Sequence, residues 1–230
     1  MLIFLDTETT GLETKDFICS VAFIDDDSYA YELVNEGKKM STQASSVNHI
    51  TNEMLKNKKS FSESDIYKQL EKNNNDANTL VGHNIAFDLE MLAKSGFIWK
   101  GAIIDTLRIS KHLIKECDGF SLQFLRYELK LYKEEEKIKS EYGIKDALVA
   151  HNALSDTLVT KLLFVYLQEM VNVEQMQELT FKEVLLEKFS FGKHKGKYIE
   201  EVCLNDISYV QWLLSSECDD DLRYSINYYL

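Results

Sequence analysis

The spacing of apolar positions changes several times along the chain. Leu2–Leu5 is an unbroken apolar run that ends in acids, the pattern of a short buried strand. Phe17–Ile24 is rich in aromatic and β-branched residues, and Tyr29–Val34 alternates; both read as strands, with Gly11 and then Asp25–Ser28 supplying turns. Helical spacing follows in Asn52–Lys56 and Glu63–Glu71, and the polar stretch Asn73–Asn78 reads as a loop. Thr79–Gly82 is a strand that leads into a helix from about Ala86 to Lys94. Ala102–Asp105 is another strand, with Thr106 as N-cap of the helix after it. Ser121–Leu129 is helical, Lys133–Tyr142 reads as a charged, solvated loop, and Ala153–Met170 is a strongly periodic helix. Strands first, then strands alternating with helices, predict an α/β layer fold with a mixed sheet. The pattern changes near Glu174–Lys188, and Phe189–Leu230 has glycines, aromatics and helical spacing of its own. The expected organisation is a large unit over residues 1–172, a linker over 173–188 and a small C-terminal unit over 189–230.

Composition fits this picture. Of 230 residues, 45% are hydrophobic and 28% charged, a balance that supports a packed core and excludes a disordered chain. There is no proline, so turns fall to Gly, Asn, Asp and Ser. Twenty-six Lys+Arg against 38 Asp+Glu give a net charge of −12, which repels nucleic acid and anionic membranes. A nucleic-acid partner therefore requires acids concentrated at metal sites and positive charge collected elsewhere. The four cysteines form no C-x-x-C, so neither zinc spacing nor a disulfide framework is present; reduced thiols in the cytoplasm are expected. The opening residues MLIFLDTETTG reach an acid at position six without a basic region, unlike a signal peptide. No apolar run approaches the roughly 20 residues that span a bilayer.

Three segments carry acids at the ends of predicted elements. Asp6 and Glu8 are two apart on a strand and share a face, so both carboxylates point to one spot. Taken alone, the pair also fits a polar turn. Asp88 follows the turn Gly82-His83-Asn84 at the start of a helix, where an acid also suits the helix dipole. Asp156 opens the long helix, with His151 five residues before it. His151 reaches the same place only by bending back from the approach loop; otherwise Asn152 or Ser155 caps the helix and His151 is exposed. Together, four carboxylates and one imidazole fit a two-metal hydrolysis site. An imidazole with an ordinary pKa near 6.5 can take a proton from water at neutral pH.

At these residues the chain resembles the DnaQ-like 3′→5′ exonucleases of the DEDDh type, whose fold is ribonuclease-H-like. DTETTG at 6–11, HNIAFD at 83–88 and HNALSD at 151–156 match the three motifs in order and spacing. The tyrosine branch of that superfamily has Tyr four residues before the last acid; Asn152 stands there, and the His lies five before. SSVNHITNEML (45–55) is similar to the family's H-x-I-T segment, with Asn48 where His is common. SLQFLRYELKL (121–131) and the tail FGKHKGKYIEEVCLNDISYVQWLL (191–214) are similar to exodeoxyribonuclease-X-like proteins. The resemblance implies two divalent cations, Mg²⁺ or Mn²⁺, held by Asp6, Glu8, Asp88 and Asp156. Asp6 would bridge them, Glu8 and Asp156 would complete the shell of the first ion, and Asp88 would support the second ion through water. His151 would deprotonate the attacking water. Thr7, Thr9 and Leu12, with Asn84 and Phe87, would hold the terminal nucleotide. The implied activity is release of nucleoside 5′-monophosphates from single-stranded DNA or 3′ ends, in DNA repair. Polymerase proofreading, RNA trimming and an inactive nucleic-acid-binding module are the alternatives.

The positive charge has one focus in the tail. Lys188, Lys193, His194, Lys195 and Lys197 interleave with Phe189, Phe191 and Tyr198. Basic residues among aromatics suit phosphate tracking and base stacking, and equally a solvated hairpin with its aromatics in a small core.

Overall fold

The computed structural model describes residues 1–114, 117–145, 147–216 and 218–230. Five strands form one sheet: β1 (Leu2–Thr9), β2 (Ile18–Ile24), β3 (Tyr29–Leu33), β4 (Thr79–Gly82) and β5 (Ala102–Asp105). Their order is β3-β2-β1-β4-β5. β1 pairs antiparallel with β2 and parallel with β4, and β4 pairs parallel with β5, so the sheet is mixed as expected. β1 is therefore central.

Side chains of β1 alternate between two apolar layers. Ile3 and Leu5 join one, with β2, with Ile66 and Leu70 of α3 (Asp65–Asn73) and with Ile85, Met91 and Leu92 of α4 (Ile85–Lys94). Two shorter helices precede α3 in the chain, α1 (Thr42–Asn48) and α2 (Asn52–Leu55). Phe4 joins the other layer. There it meets α5 (Thr106–Leu113), α6 (Leu122–Glu128), α7 (Glu135–Tyr142) and above all α8 (Ala153–Gln168), through Leu158, Val159, Leu163, Phe164 and Leu167. Phe4 and Phe164 meet edge to face, centroids 5.3 Å apart, a geometry worth about 0.5–1.5 kcal/mol beyond area burial.

Three details differ from the expectations. Lys133–Tyr142 is not a solvated loop: a 3₁₀ turn over Leu131–Lys133 leads into α7. α7 has one buried apolar residue, Ile138, and buries Glu135 and Lys139, which apolar spacing does not reveal. The helix after β5 is capped by Asp105, whose side chain accepts from the Leu107 N–H, and not by Thr106. Asp105 also accepts from the Asn84 N–H, so one carboxylate fixes the starts of α4 and α5. α1 lies in a stretch without apolar periodicity.

Within the stretch 173–188, α9 (Val173–Phe181) packs against β5 and α5 and opens with a capping box of Asn172 and Gln175. Beyond it lie α10 (Ile199–Asn205), α11 (Ile207–Ser215) and α12 (Asp220–Tyr229). Phe189, Ile199, Val202, Val210, Leu213, Leu222 and Ile226 form a separate apolar cluster there.

Candidate active site

Two-residue alternation puts Asp6 and Glu8 on the Phe4 face of β1, the face covered by α8. α8 starts at Asn152, whose side chain accepts from the Ser155 N–H. That cap places Asp156 in the first helical turn, where the dipole favours an anion. One carboxylate oxygen from each of Asp6, Glu8 and Asp156 lies within 4.8 Å of the other two. Asp88, from the first turns of α4, is buried beside them; its Oδ1 accepts from the Thr7 N–H (3.0 Å) and the Thr7 hydroxyl (2.6 Å).

The acids are crowded and poorly compensated. Among the described residues, none donates a hydrogen bond to the Asp6 carboxylate. Burial, with Asp88, Asp156 and Glu8 nearby, holds its pKa well above the ordinary range. Burial and the charges of Asp156 and Asp88 raise Glu8 to about 8, against a lowering by the Asn48 amide. Asp88 is pushed up to about 7 by burial, although its two bonds from Thr7 oppose the shift. Asp156 rises to about 6 by burial, opposed by the His151 N–H, Arg126 and Gln123. A divalent cation relieves this repulsion, and clustered carboxylates are the hard oxygen donors that such ions select. The donor set therefore fits the divalent cations implied by the motifs.

His151 lies in the turn before α8 with a left-handed backbone, φ 59°, and is exposed. The His151 N–H donates to Asp156 Oδ2 at 3.0 Å, while Asn152 caps α8 and the imidazole is exposed, the alternative arrangement offered by the sequence. Thr7 is turned inward to Asp88, and the Thr9 hydroxyl donates to the Gly11 carbonyl at 2.7 Å. Leu12 stands out on the following loop, 81% exposed. Asn84 is exposed with φ 64°, and Phe87 is partly buried against the α3/α4 layer. In the tail, Lys193 is paired with Asp206 at 2.6 Å, while Lys195 and Lys197 are exposed and in no ion pair among the described residues.

Three contributors carry no signal in the motifs. Asp16 accepts from the Thr10 hydroxyl and the Glu13 N–H and so shapes the loop that presents Leu12. Buried Asn48 donates to the Thr9 carbonyl. Gln123 of α6 donates to Asp156 Oδ1 at 2.7 Å. Asn48 and Gln123 fall in segments whose family likeness is visible in sequence, but nothing local reveals contacts across 39 and 33 residues.

A mixed five-stranded sheet with helices on both faces and acids gathered from its central strand and two flanking helices defines a ribonuclease-H-like protein with a clustered acidic centre. The chain belongs to the exonuclease family, whose model matches residues 3–164. A second family model, described as exodeoxyribonuclease X-like C-terminal, matches residues 189–216. Exodeoxyribonuclease 10 of Escherichia coli strain K12 is 27% identical over 237 residues, covering 100% of this chain and 99% of that protein. A PolC-type DNA polymerase III of Thermotoga maritima is 28% identical over 82% of this chain, which spans 13% of that polymerase. Among solved structures, exonuclease X in complex with 5′ overhanging duplex DNA superposes with a TM-score of 0.62 at 24% identity, covering 78% of this chain and 99% of that one. E. coli exonuclease I in complex with a dA16 oligonucleotide gives 0.53 at 17% identity, over 77% of this chain and 42% of that one. The two structures share the fold.

Proposed function

We propose that the protein is a metal-dependent 3′→5′ exodeoxyribonuclease that hydrolyses the terminal phosphodiester bond of DNA, releases nucleoside 5′-monophosphates and serves DNA repair. The convergence of Asp6, Glu8 and Asp156 within 4.8 Å, with Asp88 beside them, carries this reading. These four side chains would hold two divalent cations, Mg²⁺ or Mn²⁺, which when bound stabilise charge on the attacking and leaving oxygens. The His151 imidazole, exposed at the mouth, takes the proton of the attacking water. Leu12 offers an apolar surface to the terminal base. Thr7 serves by fixing Asp88, Thr9 by fixing the loop that carries Leu12, and Asn84 and Phe87 border the same end of the sheet.

For the domain plan, the family matches favour a catalytic unit over 1–172 and a C-terminal unit over 189–230. In the tail, Lys195 and Lys197 are the cations available to track phosphates, with Lys193 shared with Asp206. The four cysteines are free, which suits the cytoplasm.

The test is digestion of 5′-labelled DNA and RNA oligonucleotides, single-stranded and duplex, with and without chelator. Stepwise Mg²⁺- or Mn²⁺-dependent shortening of DNA from the 3′ end, absent in Asp6→Ala, is the expected result. Preference for RNA would make it an RNA-trimming enzyme, and no shortening would leave a binding module. Likeness to the PolC-type polymerase raises proofreading as a second reading; stable co-purification with a polymerase would establish that role.

A further inference from the structure

We propose that Gln123 is a positioning residue for Asp156, and that the buried pair Arg126–Glu135 serves to hold Gln123 in the one orientation that does this. The inference rests on reading the acidic cluster as a metal centre. Gln123 and Arg126 lie one turn apart on α6 and Glu135 opens α7. The Gln123 amide nitrogen donates to Asp156 Oδ1 at 2.7 Å, and Arg126 Nη1 donates to the Gln123 amide oxygen at 3.1 Å. Arg126 turns its remaining edge to Glu135: Nε faces Oε1, and Nη2 donates to Oε2 at 2.8 Å.

A terminal amide has two nearly isosteric orientations, and only its hydrogen-bond partners choose between them. A guanidinium has donors and no acceptor, so it accepts only the orientation that turns the amide oxygen towards it. The amide nitrogen is then directed at Asp156. Glu135 in turn fixes the guanidinium through a two-point contact that a rotated Arg126 loses. Asp156 Oδ2 is held from the other side by the His151 N–H. Each carboxylate oxygen therefore has one protein donor and keeps acceptor capacity for a further partner. An aspartate held at both oxygens cannot swing away from its neighbours when their charges repel.

The burial of the pair supports a purpose beyond stability. Arg126 is 7% and Glu135 9% exposed. Buried ion pairs are often no more stabilising than apolar residues of similar shape, because desolvation offsets the attraction. Here the pair ends in a hydrogen-bonded chain at a proposed ligand. Partners that orient ligating side chains commonly change metal affinity by about 10–100-fold when removed.

Gln123→Met keeps the length of the side chain and removes its donor. Calorimetric titration with Mn²⁺ should show affinity reduced by about 10–100-fold. The rate at saturating Mn²⁺ should fall while KM for a labelled oligonucleotide stays within twofold. Arg126→Met/Glu135→Met, an apolar replacement of the pair, should reproduce the loss in Mn²⁺ affinity with melting temperature retained. Adding Gln123→Met to that double variant should cost nothing further. Unchanged Mn²⁺ affinity in Gln123→Met, with binding by the parent protein intact, overturns the proposal alone. A raised KM with unchanged Mn²⁺ affinity overturns it in favour of direct substrate contact. Failure of the parent to bind Mn²⁺ overturns the metal reading of the site itself.

Discussion

The bond from His151 to Asp156 is made by the backbone, so the imidazole is free of the contact that shapes the site. Replacing the side chain should leave the acids in place and remove the base. His151→Ala is expected to lower the single-turnover rate by about 10²–10⁴-fold with Mn²⁺ affinity unchanged. His151→Gly should lose the same rate and be more stable than His151→Ala by about 1 kcal/mol, since φ 59° costs an L side chain energy that glycine avoids. Rapid-quench digestion and thermal melting read the two effects separately.

Gly11 and Asp16 make a second tight relationship. A Cβ at Gly11 would lie 2.4 Å from Asp16 Oδ2 and 2.8 Å from its Cγ. Gly11→Ala must displace the carboxylate that organises the Leu12 loop, at a cost of about 1–3 kcal/mol. Melting should show that loss, and KM for a short oligonucleotide should rise. Leu12→Ala, which leaves the loop intact, should raise KM with no change in melting temperature.

The four carboxylates predict an unusual pH dependence for the metal-free protein. Glu8, Asp88 and Asp156 titrate at about 8, 7 and 6 in the folded state, against lower values when unfolded, and Asp6 shifts the same way. The folded state thus binds more protons between roughly pH 4 and 8, so these groups make it less stable as pH rises through that window. Melting temperature in chelator should fall from pH 5 to pH 8. Saturating Mg²⁺ should flatten the slope, and Asp6→Asn should raise the metal-free melting temperature at pH 8. A rise with pH in chelator would contradict the crowding described above.

For the tail, the pairing of Lys193 with Asp206 divides the lysines into two groups. Lys195→Ala/Lys197→Ala should reduce the salt slope of single-stranded DNA binding by about 0.7 per lysine. Lys193→Ala alone should change it less. Fluorescence anisotropy over a range of salt concentrations measures both, and equal slopes in parent and double variant would remove the tail from the binding surface.

The strands and the acids were legible because both rest on short-range pattern. Period-two spacing puts Asp6 and Glu8 together, and a capped helix start places Asp156, so local rules reach the site. The other contributors depend on long-range partners. Glu135 and Lys139 look solvated in sequence and are buried in the structure, Glu135 through its pairing with Arg126, so the sequence pattern of α7 resembles that of a loop. Asp105 displaced Thr106 as a cap because its carboxylate also serves Asn84, a contact between two helix starts. Lys193 looked like a free cation because Asp206 lies 13 residues away, across a turn and a helix.

The place of Asp6 and Glu8 on a paired central strand makes their alignment sensitive to heredity of a particular kind. Substitutions elsewhere in β1 can be absorbed one side chain at a time. Loss or gain of a single codon before Asp6 that shifts the strand by one position would turn both acids through the sheet, into the oily compartment beneath α3 and α4, and send their uncharged neighbours to their places. In a lineage of such genes this short stretch should vary in letters and never in length.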